Sequence, residues 1–111
     1  MTINEYQMGA LRTVQTNLDA QNMLLQGVMG LAGEAGECAD LLKKHLFHGH
    51  PLDSHHLAKE LGDVAWYLAI SAYAIGYPLE CVLQMNLDKL RQRYPHGFDP
   101  YRSMHRMAGD L

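Results

Sequence analysis

Residues 30–45, GLAGEAGECADLLKKH, place two carboxylates on the inner face of a helix. An α-helix turns by about 100° per residue, so side chains three or four residues apart share a face. Glu34 and Glu37 therefore lie on the same stripe as Leu31 and Leu41, where a hydrophobic core would be expected. Charged side chains normally face water. The stretch predicts a helix that carries an acidic site on its packing face.

A second acidic pair occurs in residues 59–68, KELGDVAWYL. Glu60 and Asp63 are again three residues apart and share a stripe with apolar residues such as Val64. The two helices are joined only by the short segment HGHPLDS, and short connections favour antiparallel neighbours. Each helix therefore offers an acidic pair from an apolar face.

Four carboxylates gathered in a partly dry space repel one another, and their pKa values rise unless a positive charge lies among them. A divalent cation supplies that charge, and oxygen-only ligands favour Mg²⁺ or Mn²⁺ over zinc. A carboxylate-held Mg²⁺ with open coordination positions usually binds phosphate oxygens and activates water. We therefore treat Glu34, Glu37, Glu60 and Asp63 as a candidate metal site; the alternative is a set of solvated surface acids.

Three glycines recur at every third position of the first acidic helix: Gly30, Gly33 and Gly36. Each costs roughly 1 kcal/mol relative to alanine inside a helix. Close approach of a neighbouring helix is the explanation we favour, and room for a bulky ligand beside the carboxylates is the other.

The whole sequence predicts an all-α fold, because no segment alternates polar and apolar residues with a period of two. Capping residues, glycines and prolines divide it into four principal helices that form an antiparallel bundle. The expected helices run from Thr2 to about Val14, from Asn22 to about His48, from Asp53 or Ser54 to Gly76, and from Pro78 to Tyr94. We expect a single domain over residues 1–111, in which 1–21 form an N-terminal helix and linker and 95–111 a loosely structured tail.

Composition excludes several functional classes. The 111 residues carry a net charge of −3, which provides no basic face for a nucleic acid polymer. Two cysteines without a CxxC pair indicate neither a zinc knuckle nor a disulfide framework, and no signal peptide is visible, so we expect a cytoplasmic protein. The uncharged run from Val64 to Leu79 is too short to span a membrane. We expect no membrane partner, and we expect oligomerisation, at least to a dimer, to complete the cover of that run.

Cationic and amide side chains accompany the acidic residues. Lys44 lies seven residues after Glu37, nearly on the same stripe, and Asn86, Lys89 and Arg93 form a polar stripe on the last helix. A triphosphate requires such counter-charges in addition to a metal. Individually these residues are more often found on an ordinary surface.

Two other features have competing explanations. The aromatic residues Trp66, Tyr67, Tyr73 and Tyr77 could stack on a base, although aromatic residues at helical spacing usually belong to a core. The histidine-rich segment HLFHGHPLDSHH raises the possibility of a carboxylate and histidine di-metal bundle. Such bundles use Glu-x-x-His on helices, and the nearest match, Asp53 to His56, begins in a loop.

The chain resembles the MazG-like all-α nucleoside triphosphate pyrophosphohydrolases over roughly residues 25 to 103. Their ExxE, spacer, ExxD motif is matched by Glu34, Glu37, Glu60 and Asp63, and the segments ELGDVAWYLA and NLDKLRQRYPHGF extend the match. The resemblance implies a helical bundle that assembles as a homodimer or homotetramer, binds Mg²⁺ and cleaves a nucleoside triphosphate between its α and β phosphates.

The resemblance also implies roles for individual residues. It makes the four carboxylates the metal ligands and catalytic residues, one of them orienting the attacking water, and makes Asn86, Lys89 and Arg93 phosphate-side residues. The rival class is a non-enzymatic helical interaction module, whose acids would be a solvated face and which would bind its partner equally well in a chelator. No element of the sequence predicts the preferred base or sugar.

Overall fold

The helices begin and end close to the capping residues of the sequence. The computed structural model describes residues 1–111 and contains helices and no β-strand, which confirms the all-α prediction. The five helices are Ile3–Leu11 (α1), Ala20–His48 (α2), Ser54–Ala74 (α3), Leu79–Arg93 (α4) and Pro100–Met104 (α5).

Side-chain caps set the helix starts. Thr2 and Glu5 form a reciprocal capping box at α1, and the Asp53 carboxylate accepts a hydrogen bond from the His56 amide at 3.1 Å, as the sequence predicts. Helix α2 starts earlier than expected, because Asp19 caps it by accepting from the Asn22 amide at 2.8 Å. The predicted cap, Asn22, is therefore the third residue of α2.

Helices α2 and α3 pack side by side and run antiparallel. Gly27 faces Ser71, and Gly30 faces the ring of Tyr67, so residue numbers rise along α2 as they fall along α3. A Cβ atom at Gly30 would overlap the Tyr67 ring, and one at Gly27 would overlap Ser71. These two glycines therefore permit the close packing of the two helices that carry the acidic residues.

Helix α1 is attached to α3 by buried polar contacts. The Gln7 side chain is 5% exposed; its Nε2 donates to the carbonyl oxygens of Ala69 and Tyr77, and its Oε1 accepts from the Leu79 amide at 2.9 Å. The indole of Trp66 donates to the Thr13 hydroxyl at 2.8 Å. The role of Trp66 is thus structural, as the core explanation of the aromatic residues predicts.

The chain divides into two compact units, Met1–Leu79 and Glu80–Leu111. The first contains α1, α2 and α3. Within the second, Asp99 caps α5 by accepting from the Tyr101 amide at 2.9 Å, and Arg93 pairs with Asp110. The segment for which the sequence indicates a loose tail thus contains a capped helix and an ion pair.

The uncharged run from Val64 to Leu79 supplies most of the buried apolar residues. Ala69 and Ile70 are fully buried and Leu79 is 5% exposed. Part of this run is therefore covered within the first unit, whereas Tyr73, Ile75 and Tyr77 of the same run and many large apolar side chains elsewhere are exposed. No single helix is long and apolar enough to cross a membrane.

Candidate metal centre

The packing of α2 against α3 brings three glutamates together. Glu34 and Glu37 extend from α2 and Glu60 extends from α3, and one carboxylate oxygen from each lies within 4.8 Å of the other two. Their helix positions produce this convergence, since the first two residues are less than one turn apart and the third lies on the facing helix. Three of the four predicted ligands thus form one cluster.

The cluster contains buried oxygens without hydrogen-bond partners. Glu34 and Glu60 are partly buried, and Oε2 of each is inaccessible to water and accepts no hydrogen bond from the protein. Leaving a buried carboxylate oxygen unpaired is unfavourable. The donor set is made entirely of oxygen, which suits a hard divalent cation such as Mg²⁺ or Mn²⁺. The residues present therefore fit a metal ion of this class.

The close approach of the carboxylates changes their protonation. Burial first, and then the neighbouring Glu60 carboxylate and the charge of Glu37, raise the pKa of Glu34 from its ordinary value to about 7. The hydrogen bond with Glu37 lowers the pKa of Glu60. Of the two residues, Glu34 is the one whose protonated form is favoured. The cluster without a cation therefore retains a proton close to neutral pH.

Asp63, the fourth predicted ligand, lies outside the group of three converging oxygens. Its side chain is exposed on α3, and its negative charge contributes to the raised pKa of Glu34. The carboxylate is thus electrostatically part of the acidic site.

Two neighbours of the cluster were not predicted from the sequence. Nε2 of His56 lies 3.2 Å from Oε1 of Glu60, so the imidazole hydrogen-bonds to a cluster carboxylate. The pKa of Tyr6 is raised, first by burial and then by the charge of Asp63. The spacing of four residues between His56 and Glu60 is a signal that could have identified the histidine, whereas no local pattern links Tyr6 to the site.

The predicted phosphate-side residues have partners of their own. Lys44 pairs with Asp40 at 2.9 Å, and the hydrogen bonds from Lys44 and Lys43 hold the pKa of Asp40 at about 2. The ammonium group of Lys44 therefore already has a carboxylate partner on α2. Arg93 makes a two-pronged contact with Asp110.

Three of the four phosphate-side residues lie on α4: Asn86, Lys89 and Arg93. All three belong to the second unit. Lys89 and Arg93 line a cavity within it.

Known proteins match the part of the chain that carries this site. A family model described as the MazG nucleotide pyrophosphohydrolase domain matches residues 24–98, which include all four acidic residues. The Gene 37 protein of Mycobacterium phage L5 is 36% identical, over 87% of this chain and 92% of that protein. No solved structure matches significantly. Because the family model matches more than half of the chain, the chain belongs to the MazG family of nucleotide pyrophosphohydrolase-type enzymes.

Proposed function

We propose that the protein hydrolyses nucleoside triphosphates between the α and β phosphates, forming a nucleoside monophosphate and pyrophosphate, with Mg²⁺ as cofactor and Mn²⁺ as a possible substitute. The observation that carries the proposal is the convergence of the Glu34, Glu37 and Glu60 oxygens within 4.8 Å on two facing helices. This convergence falls within the segment that matches the family.

The four carboxylates would hold the cation: Glu34, Glu37, Glu60 and Asp63. A bound divalent cation neutralises phosphate oxygens and lowers the pKa of a coordinated water. The unpaired Oε2 atoms of Glu34 and Glu60 support this role, since a cation satisfies both. A carboxylate oxygen that does not bind the cation accepts a hydrogen bond from the attacking water and orients it toward the α phosphate.

The chain's own cations would stabilise the rest of the triphosphate. In this proposal Lys44, Asn86, Lys89 and Arg93 donate hydrogen bonds to phosphate oxygens, and charge-assisted bonds of this kind are stronger than neutral ones. Lys44 and Arg93 must exchange their carboxylate partners, Asp40 and Asp110, for phosphate. Base and sugar preference stay open.

The test is a panel of canonical and modified nucleoside triphosphates, assayed for pyrophosphate release with Mg²⁺, with Mn²⁺ and in chelator. We expect at least one substrate to give monophosphate and pyrophosphate only when metal is present. Hydrolysis in ¹⁸O-labelled water locates the attack, because the label enters the monophosphate when the α phosphorus is attacked. Release of orthophosphate with a diphosphate product would contradict the proposed cleavage between the α and β phosphates.

A substitution connects turnover to the cluster. Glu60→Gln should abolish activity, because a neutral amide is a poorer ligand for a hard cation. Asp88→Asn is the matched control, since Asp88 is an exposed acid whose partner is Arg91. If both variants keep normal turnover, the cluster is not the active site. A protein with no turnover whose partner binding is unchanged in chelator would instead be an interaction module.

A further inference from the structure

The second unit contains a cavity, and two of its lining residues, Lys89 and Arg93, are ones that the proposed function assigns to the substrate phosphates. It has a volume of about 530 Å³ and is formed by residues of α4, of α5 and of the segment that follows α5. Its size is in the range of small-ligand sites. Its α4 residues lie within the matched residues 24–98, whereas most of its lining, from Arg102 to Leu111, lies beyond them.

The lining of the cavity is strongly cationic. Four of its side chains are permanent cations and one is a carboxylate: Lys89, Arg93, Arg102, Arg106 and Asp110. His105 adds an imidazole. The ion pairs of the chain include Arg93 with Asp110, whereas Lys89, Arg102 and Arg106 take part in none. Three cations therefore have no carboxylate partner around a space large enough for a ligand.

The single carboxylate in the cavity is bound as a phosphate would be. Nε of Arg93 donates to Oδ2 of Asp110 at 2.9 Å, and Nη2 donates to Oδ1 at 2.7 Å. The same Nη2 also donates to the Leu111 carbonyl oxygen at 3.2 Å. Guanidinium groups bind carboxylates and phosphates in this same two-pronged geometry. The Asp110 side chain thus occupies the donor pair that an anionic ligand would use.

The other cations act on the same point. The pKa of Asp110 is lowered first by its hydrogen bond to Arg93, and the charges of Arg106 and Lys89 lower it further. The side chains of Arg93 and Asp110 are only 10% and 17% exposed, so water screens this pair less than a surface pair. The positive potential of the cavity is therefore concentrated where the Asp110 carboxylate lies.

We propose that this cavity binds an anion with linked phosphate groups, and that Asp110 occupies the Arg93 guanidinium until the anion displaces it. The four cationic side chains outnumber the single carboxylate side chain by three. A single phosphate monoester carries a charge of about −2, so linked phosphates match the surplus better. Inorganic pyrophosphate and the triphosphate chain of a nucleotide share this chemistry; this choice of sources and the phosphate-binding role of Lys89 and Arg93 rest on the proposed function.

The test is calorimetric titration of the full chain with inorganic pyrophosphate, a nucleoside triphosphate and inorganic phosphate. All titrations are made in chelator, so that the acidic cluster cannot hold a ligand through a metal. We expect pyrophosphate and the triphosphate to bind, and phosphate to bind about tenfold more weakly or not at all. A triphosphate that binds more tightly than pyrophosphate identifies the nucleotide as the ligand, and the reverse order identifies the product.

Three substitutions test the residues. Arg102→Gln and Arg106→Gln should each weaken pyrophosphate binding about fivefold or more, because each removes a charge-assisted contact. Asp110→Asn should strengthen it about fivefold, because the competing negative charge is lost while the side-chain shape is kept. Arg91→Gln is the control, since Arg91 lies on the same helix and does not line the cavity. Circular dichroism checks that each variant is folded.

Two results would overturn the proposal. One is the absence of pyrophosphate binding at millimolar concentration to both the unmodified protein and Asp110→Asn. The other is an equal loss of affinity in Arg91→Gln and Arg106→Gln, which would show general surface attraction. Binding in chelator does not depend on turnover. Turnover of triphosphates, together with no pyrophosphate binding in chelator by either the unmodified protein or Asp110→Asn, therefore refutes the cavity proposal alone. Pyrophosphate binding without turnover refutes the proposed activity alone.

Discussion

At the scale of single residues, Glu34 links the pH of the solution to the stability of the fold. Its pKa rises from 4.5 to about 7 on folding, mainly because the side chain is partly buried. Between these values the folded state binds more protons than the unfolded state, so stability falls as the pH rises from 4.5 to 7. The lowered pKa of Glu60 has the opposite effect. It adds to the stability of the fold above pH 4.5, and this stabilisation is lost as the pH falls below 4.5.

We therefore expect the melting temperature in chelator to decrease between about pH 5 and pH 7.5. Glu34→Gln should remove much of this decrease, because the amide does not titrate. Added Mg²⁺ should raise the melting temperature most at the upper end of the range, where the carboxylates are charged. Thermal unfolding followed by circular dichroism measures all three effects. A melting temperature that rises steadily across the range in chelator would contradict this assignment of the proton.

Asp63 allows a second test of the acidic site. Asp63→Asn removes a negative charge that acts on Glu34 and preserves the side-chain shape, so the metal-free protein should keep its stability or gain some. Turnover should collapse, since the amide is a poorer ligand for a hard divalent cation. The measurements are thermal unfolding in chelator and in Mg²⁺, together with pyrophosphate release.

Asp88→Asn provides the matched control for Asp63→Asn. Asp88 is an exposed acid on α4, and such substitutions usually change stability by less than about 0.5 kcal/mol. Near-normal turnover of Asp63→Asn, with an unchanged stabilisation by Mg²⁺, would remove Asp63 from the site.

Which site residues the sequence predicts depends on whether helical spacing connects them. Helical spacing places Glu34 and Glu37 on one face of α2, and Glu60 on a face of α3 together with Asp63. Because a short segment joins the two helices, the sequence also predicts that these residues lie close together. The contact between Arg93 and Asp110 could not be predicted in this way, because no periodicity relates residues separated by an irregular chain. The burial that raises the pKa of Glu34 also depends on tertiary packing and is not visible in the sequence.

At the scale of the elements, the glycines of α2 separate into two kinds. A Cβ at Gly30 would overlap the Tyr67 ring, whereas Cβ atoms at Gly33 and Gly36 would have no atom within 4 Å. Close approach of a helix therefore explains Gly30 and leaves the other two unexplained by packing within the chain.

We expect Gly30→Ala to destabilise the protein, because the ring or the helix must move. Gly33→Ala should stabilise it by up to about 1 kcal/mol, since alanine is the better helix former and the space is open. Chemical denaturation of both variants compares the two cases. If Gly33→Ala is stabilising but raises the KM for the nucleotide, the open space serves the ligand; if it destabilises the protein, a neighbouring chain fills that space.

Gln7 joins α1 to the end of α3 and the start of α4. Gln7→Leu would leave the buried Leu79 amide and Tyr77 carbonyl without their partner, and an unsatisfied buried group costs about 1–3 kcal/mol. We expect a loss of stability in this range, measured by urea denaturation. Gln21→Leu is the control, because Gln21 is exposed on α2. Equal effects of the two substitutions would show that the buried hydrogen bonds of Gln7 contribute little.

The sequence predicts the helices better than their contacts. Caps such as Thr2 and Asp53 act through neighbouring amides, so their effect is local and visible in the sequence. The choice of Asp19 over Asn22 as the cap of α2 is also local, but both residue types are good caps. The role of Gln7 cannot be predicted from the sequence, because its partners Ala69, Tyr77 and Leu79 are 62 to 72 residues away along the chain.

At the scale of the whole molecule, the apolar surface is distributed differently from what the sequence indicates. The longest uncharged run is buried around Ala69 and Ile70 but exposes Tyr73, Ile75 and Tyr77. Helix α2 also exposes large apolar side chains, among them Met29 (72%), Leu46 (68%) and Phe47 (77%). Hydrophobic pattern alone identifies apolar stripes and does not say which of them another helix of the same chain will cover. The division of the chain into two units is likewise set by tertiary contacts.

We expect this surface of α2 to be covered by a second copy of the chain. Burial of apolar surface is worth about 25 cal/mol per Å², so association that covers these side chains would be favourable. Light scattering after size exclusion should therefore give a mass of at least two 12.5-kDa chains. The double substitution Leu46→Glu with Phe47→Glu should shift the protein toward the monomer, because association would then bury two carboxylates.

Met104→Glu serves as the control for that double substitution. Met104 is 75% exposed and lies outside α2, so its substitution adds one negative charge and leaves the residues of α2 unchanged. We expect this variant to keep the mass of the unmodified protein. A stable monomer of the unmodified chain at micromolar concentration would refute the prediction of an oligomer, and an oligomer that survives Leu46→Glu with Phe47→Glu would place the interface elsewhere on the chain.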